Sequence, residues 1–158
     1  MKVEFRKTEL PADAVALREM DLEIFGKDAF ELAHWLTLES YWILADGQVA
    51  GCAAFIPHVD FAEDLRDDDE NEPQRETLYI QSTGLLANYR GKGVGSRVKA
   101  WQIEHARRNG FRRMVTNCRA GNAAMIAVNR KFGFQPIRTT PGYYADGEAT
   151  VVMEFRLE

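Results

Sequence analysis

Apolar and polar residues alternate at the beginning of the chain and then recur at helical spacing, which predicts a strand followed by helices. Residues 3–8 alternate apolar with charged positions, as a strand with one buried face does. A first helix is predicted from Pro11, a residue favoured at helix starts, to Gly26. A second helix is predicted over residues 28–39. The apolar stripe of the first helix consists of Val15, Leu17, Met20, Ile24 and Phe25.

Two β-rich runs follow, and the dipeptide between them predicts a hairpin. The runs cover residues 41–45 and 48–57. Asp46-Gly47 favours a tight hairpin turn between them, because both residues tolerate positive φ. The next stretch, 58–76, lacks a periodic pattern and is predicted to be a loop.

The second half of the chain alternates between strand and helix patterns. The predicted elements are strands at 77–86, 111–118, 134–139 and 149–157 and helices at 93–108 and 122–132. Asn122 is a favoured helix cap, and Gly110 and Gly133 stand where the two helices should end. The resulting order, βααβββαβαββ, predicts a single-domain α/β fold that is built around one sheet and spans residues 1–158.

Composition and charge exclude several classes of protein. The chain has 158 residues, of which 46% are hydrophobic and 28% charged, as in soluble globular domains. A net charge of −4 provides no general attraction for nucleic acid. The first residues lack the apolar segment of a signal peptide, and the longest apolar run, Val49 to Ile56, is too short to cross a bilayer. The sequence therefore predicts a cytoplasmic protein with no nucleic-acid partner and no membrane partner.

The two cysteines, Cys52 and Cys118, lie in apolar or β-branched stretches. The sequence lacks the paired Cys/His spacings of a zinc site, so no metal is predicted. We interpret both cysteines as small buried hydrophobic residues rather than as nucleophiles.

A glycine-rich turn between a strand and a helix is the most informative part of the chain. Gly91, Gly93 and Gly95 stand at alternating positions where the predicted helix begins. Glycine permits positive φ and lets an anionic group approach the backbone closely. The N–H groups and the dipole of the helix start then favour that anion. Because Arg90, Lys92 and Arg97 add positive charge, the turn is predicted to hold a pyrophosphate.

Other glycine motifs fit this turn less well. A Walker A loop requires Gly-Lys-Ser/Thr, but Lys92 is followed by Gly93. A dinucleotide-binding fingerprint requires G-x-G-x-x-G near the first strand, whereas the spacing in this chain is G-x-G-x-G after four predicted strands. A tight glycine turn that binds nothing stays open as an interpretation, because short glycine motifs are weak signals.

Two motifs in order give this chain a resemblance to a known family. Arg90 to Gly95 match the signature Gln/Arg-x-x-Gly-x-Gly/Ala, and Asn122 to Phe134 match a second signature, a helix that ends in Gly-Phe. On these residues and on the order of the predicted elements, the chain resembles the GNAT family of N-acetyltransferases. The resemblance implies an acyl-CoA N-acyltransferase fold, with a mixed and mostly antiparallel sheet flanked by helices. It also implies acetyl-CoA as the co-substrate.

The resemblance further implies where the cofactor lies. The fourth and fifth strands would splay apart, pantetheine would pair with the end of the fourth strand, and the pyrophosphate would lie on the amides of the glycine turn. The backbone N–H of Leu85 would polarise the thioester carbonyl as an oxyanion donor. The implied cofactor-binding residues are Leu85, Leu86, Ala87, Arg90, Gly91, Lys92, Gly93, Val94, Gly95, Ser96, Asn122 and Asn129.

The candidate catalytic residues lie on the fourth strand. Tyr79, Gln81, Thr83 and Leu85 share one face by the two-residue period, and some family members have a glutamate where Tyr79 stands. An unperturbed tyrosine is a poor base at neutral pH, so a water held by Tyr79, Gln81 or Thr83 is as good a candidate as a direct carboxylate. His58 is a further candidate, although a surface histidine is the simpler interpretation.

The general acid is also open. Asn129 stands where the family often has a tyrosine, and an asparagine can donate a hydrogen bond but cannot usefully transfer a proton. The leaving thiolate would then take its proton from solvent or from another group, such as Tyr143 or Tyr144 before the last strand. Packing is the simpler interpretation for either tyrosine, as it is for Trp35 in the second helix.

Together these features predict an acetyl-CoA-dependent N-acetyltransferase in which a primary amine attacks the thioester directly, in a ternary complex. Nine acidic residues over 58–76, against Arg66 and Arg75, either favour a cationic acceptor or form a solvated loop that aids solubility. Two alternatives are an acyl-CoA-binding sensor without efficient turnover and an acyltransferase with a longer acyl donor or a non-amine acceptor. The protein is expected to be a monomer or a homodimer.

Overall fold

The computed structural model describes residues 1–56 and 77–157, and its elements follow the predicted order. The strands are β1 (Val3–Lys7), β2 (Glu39–Ala45), β3 (Gln48–Ile56), β4 (Thr77–Leu85), β5 (Arg113–Arg119), β6 (Gln135–Thr140) and β7 (Thr150–Arg156). The helices are α1 (Ala14–Phe25), α2 (Leu32–Trp35), α3 (Val94–Arg108) and α4 (Ala123–Lys131). In these residues no helix has the length and apolar character needed to cross a membrane. The predicted acidic loop and His58 lie outside the described residues.

The strands form one mixed sheet in which most neighbours are antiparallel. The strand order is β1-β2-β3-β4-β5-β7-β6. The pairs β1–β2, β2–β3, β5–β7 and β6–β7 are antiparallel, whereas β4–β5 is parallel. A parallel pair requires a crossover connection, and α3 provides it between β4 and β5. The predicted fold class, a mixed and mostly antiparallel sheet flanked by helices, is confirmed.

The chain forms two compact units, each with its own core. Among the described residues, the first unit contains 1–56 and 81–98, and the second contains 77–80 and 99–157. Fully buried side chains of the first unit include Leu17, Trp35, Ile43 and Phe55. Fully buried side chains of the second unit include Met114, Phe134, Val152 and Met153. The interpretation of Trp35 as a core residue is confirmed.

In the first unit, facing glycines allow α1, β3 and β4 to approach closely. A Cβ on Gly51 would overlap the carbonyl oxygen of Gly84. A Cβ on Gly84 would lie 2.8 Å from side-chain atoms of both Ile24 and Phe25. Because packed interiors have no room for such overlaps, a side chain at either glycine would push these elements apart. Gly84 therefore sets how closely the C-terminal end of α1 lies on β4, and Gly51 sets how closely β3 lies against β4.

The turn chemistry that the sequence predicts is confirmed in both units. Asp46-Gly47 forms the β2–β3 turn with φ angles of 48° and 80°. Gly110 and Gly133 have φ angles of 78° and 103° just beyond α3 and α4. Asn122 caps α4 by accepting a hydrogen bond from the backbone N–H of Met125 at 3.2 Å.

The predicted second helix over residues 28–39 is wrong, because only Leu32–Trp35 is α-helical there. A buried carboxylate on α1 explains the irregular path. Oδ2 of Asp21 accepts a hydrogen bond from the backbone N–H of Phe30 at 2.7 Å and another from Nε1 of Trp35 at 3.0 Å. Burial raises the pKa of the Asp21 carboxyl, and these hydrogen bonds oppose that rise. The segment follows this anchor rather than its own helical periodicity.

The predicted apolar stripe of α1 is correct at Leu17 and wrong at Val15, which is 56% exposed. The helix begins at Ala14 rather than at Pro11. The buried side chains are Ala14, Leu17 and Asp21, whose i, i+3, i+7 spacing gives an inner face that shares Leu17 with the predicted stripe. The charged residue Asp21 therefore lies on the inner face of α1 with Ala14 and Leu17, whereas the apolar residue Val15 lies on the outer face.

Candidate active site

Two residues with positive φ shape the turn after β4. The chain leaves β4 at Leu85, makes a 3-10 turn at Ala87–Tyr89 and enters α3 at Val94. Gly91 has a φ of 72° and Gly93 a φ of 80°, a region that residues with a Cβ rarely adopt. A Cβ at either position would meet nothing within 4 Å, so the backbone conformation rather than crowding requires glycine.

A run of six backbone N–H groups on this turn has no protein acceptor among the described residues. The N–H of Arg90 donates to the carbonyl of Ala87 at 3.2 Å, and that of Arg97 donates to the carbonyl of Gly93 at 3.4 Å. Between these two bonds, the N–H groups of Gly91–Ser96 are unsatisfied within the described ranges. The first N–H groups of a helix lack intrahelical partners, and a turn of this kind directs successive N–H groups into a concavity that suits an anion.

Gly95 leaves open space beside this concavity. It lies in the first turn of α3, its φ is not positive, and a Cβ there would meet nothing within 4 Å. Neither conformation nor packing in the described part of the chain requires glycine at this position. Glycine inside a helix costs about 0.5–1 kcal/mol relative to alanine. An exposed backbone without a Cβ leaves room for a closely bound anion.

The positive side chains of the turn differ in their contacts. Nε of Arg90 donates to the carbonyl oxygen of Leu85 at 3.0 Å, which ties the turn to the end of β4. Arg97 donates to the backbone carbonyl of Met1. Lys92 is exposed and has no ion pair within residues 1–56 and 77–157, so its ammonium can approach an anion.

The end of β4 directs one backbone N–H away from β3. The N–H of Leu86 donates to the carbonyl of Ala50 on β3 at 2.8 Å. Successive residues of a strand direct their backbone groups to opposite edges, so the N–H and C=O of Leu85 face the edge opposite β3. The hydrogen bond from Arg90 to the Leu85 carbonyl is consistent with that direction. This orientation is the one that an oxyanion donor at the strand edge requires.

The predicted catalytic face of β4 is divided between the two units. Gln81, Thr83 and Leu85 are half-buried in the first unit and alternate with buried residues. Tyr79 belongs to the second unit and is 2% exposed. In the second unit, three residues of β4, Thr77–Tyr79, pair with β5. The catalytic roles of these side chains stay predictions.

The predicted cofactor residues of α4 lie in the second unit. Asn122 is exposed at the start of the helix that it caps. Asn129 is 1% exposed, and its Nδ2 lies 3.7 Å from Sδ of Met153. Its Oδ1 is buried and accepts no hydrogen bond from the residues that the structure describes. The side chain at the family's tyrosine position therefore lies in the core of this unit.

An arginine holds the tyrosine-containing loop before β7. Nη1 of Arg119 lies 2.9 Å from Oδ2 of Asp146 and 2.7 Å from Oε1 of Glu148. The guanidinium carbon of Arg119 lies 4.1 Å from the centroid of the Tyr144 ring. The hydrogen bonds that Glu148 accepts from Arg119 and from the N–H of Gly121 lower the pKa of its carboxyl. These contacts attach the loop to the end of β5.

Sequence reasoning misses a buried lysine in α3. Lys99 is 4% exposed, and its Nζ lies 4.9 Å from the centroid of the Phe134 ring. Burial lowers the pKa of the Lys99 ammonium to about 8, against a smaller opposing effect of Cys118. The sequence does contain an indication of this burial, because Lys99 directly follows Val98 and precedes Ile103 by four residues, on the apolar side of the helix.

The two cysteines are buried, as predicted. Burial raises the pKa of the Cys52 thiol to about 12 and also raises the pKa of the Cys118 thiol. Because the thiolate is the nucleophilic form, neither residue is suited to covalent catalysis at neutral pH.

A protein-family model matches most of the chain. The model of the acetyltransferase (GNAT) family matches residues 12–134, a range that includes the glycine turn and α4. The chain belongs to the GNAT family. Acetyl-CoA is the co-substrate of GNAT acetyltransferases, and the turn after β4 has the backbone chemistry that its pyrophosphate requires.

This GNAT domain is similar to curated acetyltransferases over part of their length. It is 31% identical to mycothiol acetyltransferase of Corynebacterium glutamicum over 65 residues, which cover 41% of this chain and 22% of the relative. It is 30% identical to N-alpha-acetyltransferase 50 of Danio rerio over 103 residues, which cover 65% of this chain and 60% of the relative. The chain thus matches less than two thirds of the length of either relative.

The GNAT fold is also evident among solved structures. The crystal structure of Arabidopsis thaliana NAA60 in complex with acetyl-CoA has a TM-score of 0.79 to this chain. The match covers 99% of this chain and 100% of that chain at 16% sequence identity. A likeness at this identity shows the fold and does not identify an acceptor.

Proposed function

We propose that this GNAT acetyltransferase moves the acetyl group of acetyl-CoA to a primary amine by direct attack in a ternary complex. The observation that carries the proposal is the run of six unsatisfied N–H groups from Gly91 to Ser96, at the start of a long helix. A pyrophosphate supplies the negative charge and the acceptor oxygens that such a surface binds.

Different residues around the turn would bind different parts of acetyl-CoA. The amides of Gly91–Ser96 would donate to the pyrophosphate, and Lys92 would neutralise part of its charge. The backbone at Leu85–Ala87 would pair with the pantetheine arm, because the N–H of Leu85 faces the edge opposite β3. Arg90 would hold the glycine turn in a fixed position relative to the end of β4 through its hydrogen bond to the Leu85 carbonyl. In the second unit, Asn122 and Asn129 are the proposed contributions of α4.

The chemistry joins the acceptor nitrogen to the acetyl carbonyl carbon and breaks the carbon–sulfur bond. The N–H of Leu85 would stabilise the negative charge that develops on the carbonyl oxygen, and binding both substrates side by side would supply much of the remaining acceleration. The acceptor nitrogen gives up a proton as the amide forms, and the leaving thiolate takes one from solvent. No covalent enzyme intermediate is proposed, because burial keeps Cys52 and Cys118 protonated.

A water molecule held by side chains of β4 is the proposed route for the proton that the amine loses. Gln81 and Thr83 are half-buried polar residues on the same face of the strand as Leu85. Tyr79 is the third member proposed for this relay. Asn129 cannot act as an acid, so the thiolate is proposed to be protonated by solvent.

A matched pair of glycine substitutions tests the phosphate turn. Gly93 and Gly110 have φ angles of 80° and 78°, and a Cβ at either position meets nothing within 4 Å. They flank the two ends of the same helix, α3. Gly93→Ala and Gly110→Ala should therefore lose similar stability, on the order of 1–2 kcal/mol. Only Gly93→Ala should weaken acetyl-CoA binding, by about tenfold or more, since it reorients donors that face a charged ligand.

The measurements are calorimetric titration with acetyl-CoA, thermal unfolding, and thiol release in the presence of a panel of primary amines. An unchanged Kd for acetyl-CoA in Gly93→Ala, or no binding by folded wild-type protein, would contradict the proposal. Tight binding without amine-dependent thiol release would favour the sensor alternative. Faster thiol release from a bulkier acyl-CoA would favour the longer acyl donor.

A further inference from the structure

The second unit has a lysine in its core. Lys99 on α3 is 4% exposed, and among the described residues its ammonium forms no hydrogen bond and no ion pair. Nζ lies 4.9 Å from the centroid of the Phe134 ring. A buried charge is costly unless an anion or hydrogen bonds compensate it, and replacing it by an apolar side chain is often stabilising. The lysine therefore points to a role other than stability.

A second polar side chain in the same core is also buried. Asn129 on α4 is 1% exposed, and its Oδ1 accepts no hydrogen bond from the part of the chain that the structure describes. Phe134 connects the two residues, because its ring contacts Lys99 and its backbone N–H donates to the carbonyl of Asn129 at 2.9 Å. The ammonium and the amide oxygen therefore belong to one buried cluster.

Lys99 and Asn129 also lie over the same face of the sheet. Nδ2 of Asn129 lies 3.7 Å from Sδ of Met153 on β7, and Met153 pairs with Thr116 on β5. The charge of Lys99 acts on the thiol of Cys118, which lies two residues after Thr116 and on the same face of β5. The cluster is thus enclosed by α3, α4 and this face of the sheet, with room in its hydrogen bonding for a polar partner.

Lys99 favours the ionised form of a thiol in this core. Burial raises the pKa of the Cys118 thiol, and the positive charge of Lys99 opposes that rise. Among the described residues, Cys118 is the titratable group whose charge acts on Lys99, and its raised pKa keeps it neutral at pH 7. A second sulfur brought into this cluster would be subject to the same attraction toward the ammonium.

We propose that Lys99 is the charge partner of the leaving thiolate: its ammonium stabilises the sulfur of CoA as the carbon–sulfur bond of acetyl-CoA breaks. This inference rests on the proposed function, because it takes Asn129 as a wall of the acetyl-CoA site. The acceptor nitrogen bonds to the acetyl carbon, the electron pair of the carbon–sulfur bond stays on sulfur, and the thiolate then takes its proton from solvent. Since the negative charge develops only as the bond breaks, Lys99 favours the transition state over the bound substrate.

The first test needs no acceptor. CoA carries the thiol that the reaction releases, and its thiolate absorbs in the ultraviolet, so a pH titration of the CoA complex gives the pKa of the bound thiol. Difference spectra against the complex with desulfo-CoA remove the absorbance of the protein. The pKa of the bound thiol should lie about one unit or more below that of free CoA, because a nearby ammonium favours the anion. An equal or higher pKa in the wild-type complex would overturn the proposal.

Two methionine variants separate this role from a general effect of charge. Lys99→Met and Lys131→Met each remove one ammonium from the second unit, but Lys131 is exposed on α4. Lys99→Met should return the pKa of the bound CoA thiol to that of free CoA or above it, and it should lower kcat by about tenfold or more. The Kd for acetyl-CoA should stay within about twofold of wild type. Lys131→Met should change none of these values, and equal effects of the two variants on the thiol pKa would overturn the proposal.

The pH dependence of kcat gives a readout that a structural role would not move. Burial lowers the pKa of the Lys99 ammonium to about 8, so the wild type loses this charge as the pH rises, whereas Lys99→Met has none to lose. The ratio of wild-type kcat to Lys99→Met kcat should therefore fall as the pH rises through about 8. Taking the ratio cancels the titration of the acceptor amine, which both proteins share. A constant ratio from pH 7 to pH 10 would contradict the proposal.

The outcomes separate this inference from the proposed function. CoA that binds with the thiol pKa of free CoA would remove the role of Lys99 and keep the acetyltransferase. No binding of CoA or acetyl-CoA by the folded protein would remove both.

Discussion

Replacing the buried lysine of α3 by methionine should make the protein more stable at neutral pH. Lys99 is 4% exposed, and burial lowers the pKa of its ammonium from 10.5 to about 8. At 1.36 kcal/mol for each pKa unit, keeping this group charged costs the folded state about 3 kcal/mol. The contact between the ammonium and the Phe134 ring offsets about 0.5–1 kcal/mol of that cost. Methionine has a similar shape and no charge, so Lys99→Met should gain about 2 kcal/mol at pH 7.

The gain should disappear as the solution becomes basic. Between pH 8 and pH 10.5 the unfolded chain holds a proton on Lys99 that the folded protein has released. Stability rises with pH wherever the unfolded state binds more protons, so the wild type becomes more stable through this window. Below about pH 8 the folded state bears the full free-energy cost of the charged Lys99, and above pH 10.5 it bears none of that cost. The variant has no such group, so its advantage should fall below about 1 kcal/mol at pH 10.

Urea unfolding at pH 7 and at pH 10 measures the two free energies of unfolding. At pH 7 a gain of about 2 kcal/mol corresponds to a melting temperature about 4–8 °C higher in a protein of this size. Lys131→Met, at an exposed position of α4, is the control and should change stability by less than about 0.5 kcal/mol. The reasoning would be refuted if Lys99→Met were less stable than wild type at pH 7. It would also be refuted if the variant gained the same free energy of unfolding over wild type at pH 7 and at pH 10.

Three further predictions follow from single contacts. Gly95→Leu should raise the free energy of unfolding by up to about 1 kcal/mol, because leucine has the higher helix propensity, yet weaken acetyl-CoA binding at least about tenfold in calorimetry. Gly95→Ala should weaken binding less than Gly95→Leu, because the family signature admits alanine, and wild-type affinity in Gly95→Leu would contradict the concavity. Asp21→Ala should lower the free energy of unfolding in urea by about 2–4 kcal/mol, because two buried donors lose their acceptor; a loss below about 1 kcal/mol would contradict the anchoring role. Cys52 and Cys118 should react with a thiol reagent at pH 7 only after urea unfolding, since burial raises both thiol pKa values; rapid reaction of the native protein would contradict this.

Local backbone chemistry made the second half of the chain predictable. Gly110 and Gly133 end their helices because positive φ is available to glycine at little cost, and Asn122 caps α4 because its side chain accepts from a backbone N–H. Each of these signals depends on the residue and its nearest neighbours, and no distant part of the chain needs to be known. The turn at Gly91 and Gly93 belongs to the same class, which explains why its backbone conformation could be anticipated from the glycine spacing.

Tertiary contacts decided the region between α1 and β2. The periodicity over residues 28–39 predicts a helix, but the Asp21 carboxylate accepts hydrogen bonds from the Phe30 N–H and the Trp35 indole N–H, and only Leu32–Trp35 is α-helical. These contacts join residues 9 and 14 positions apart, which no local pattern includes. Asp21 thereby lies on the inner face of α1, whereas Val15, which hydrophobicity predicts to be buried, is 56% exposed.

The sequence by itself determined the family, the strand and helix order, and the turn that presents its N–H groups at the start of α3, because glycine spacing and capping residues act over a few bonds. Only the tertiary structure decided which side chains are buried, because burial depends on partners distant in sequence. Burial in a core that includes Phe134 lowers the pKa of Lys99, and the Phe25 ring packs on β4 at Gly84 because that glycine has no Cβ to displace it. The backbone conformation of turns and caps depends on neighbouring residues and can be predicted from them, whereas the environment of a side chain is set by the whole fold.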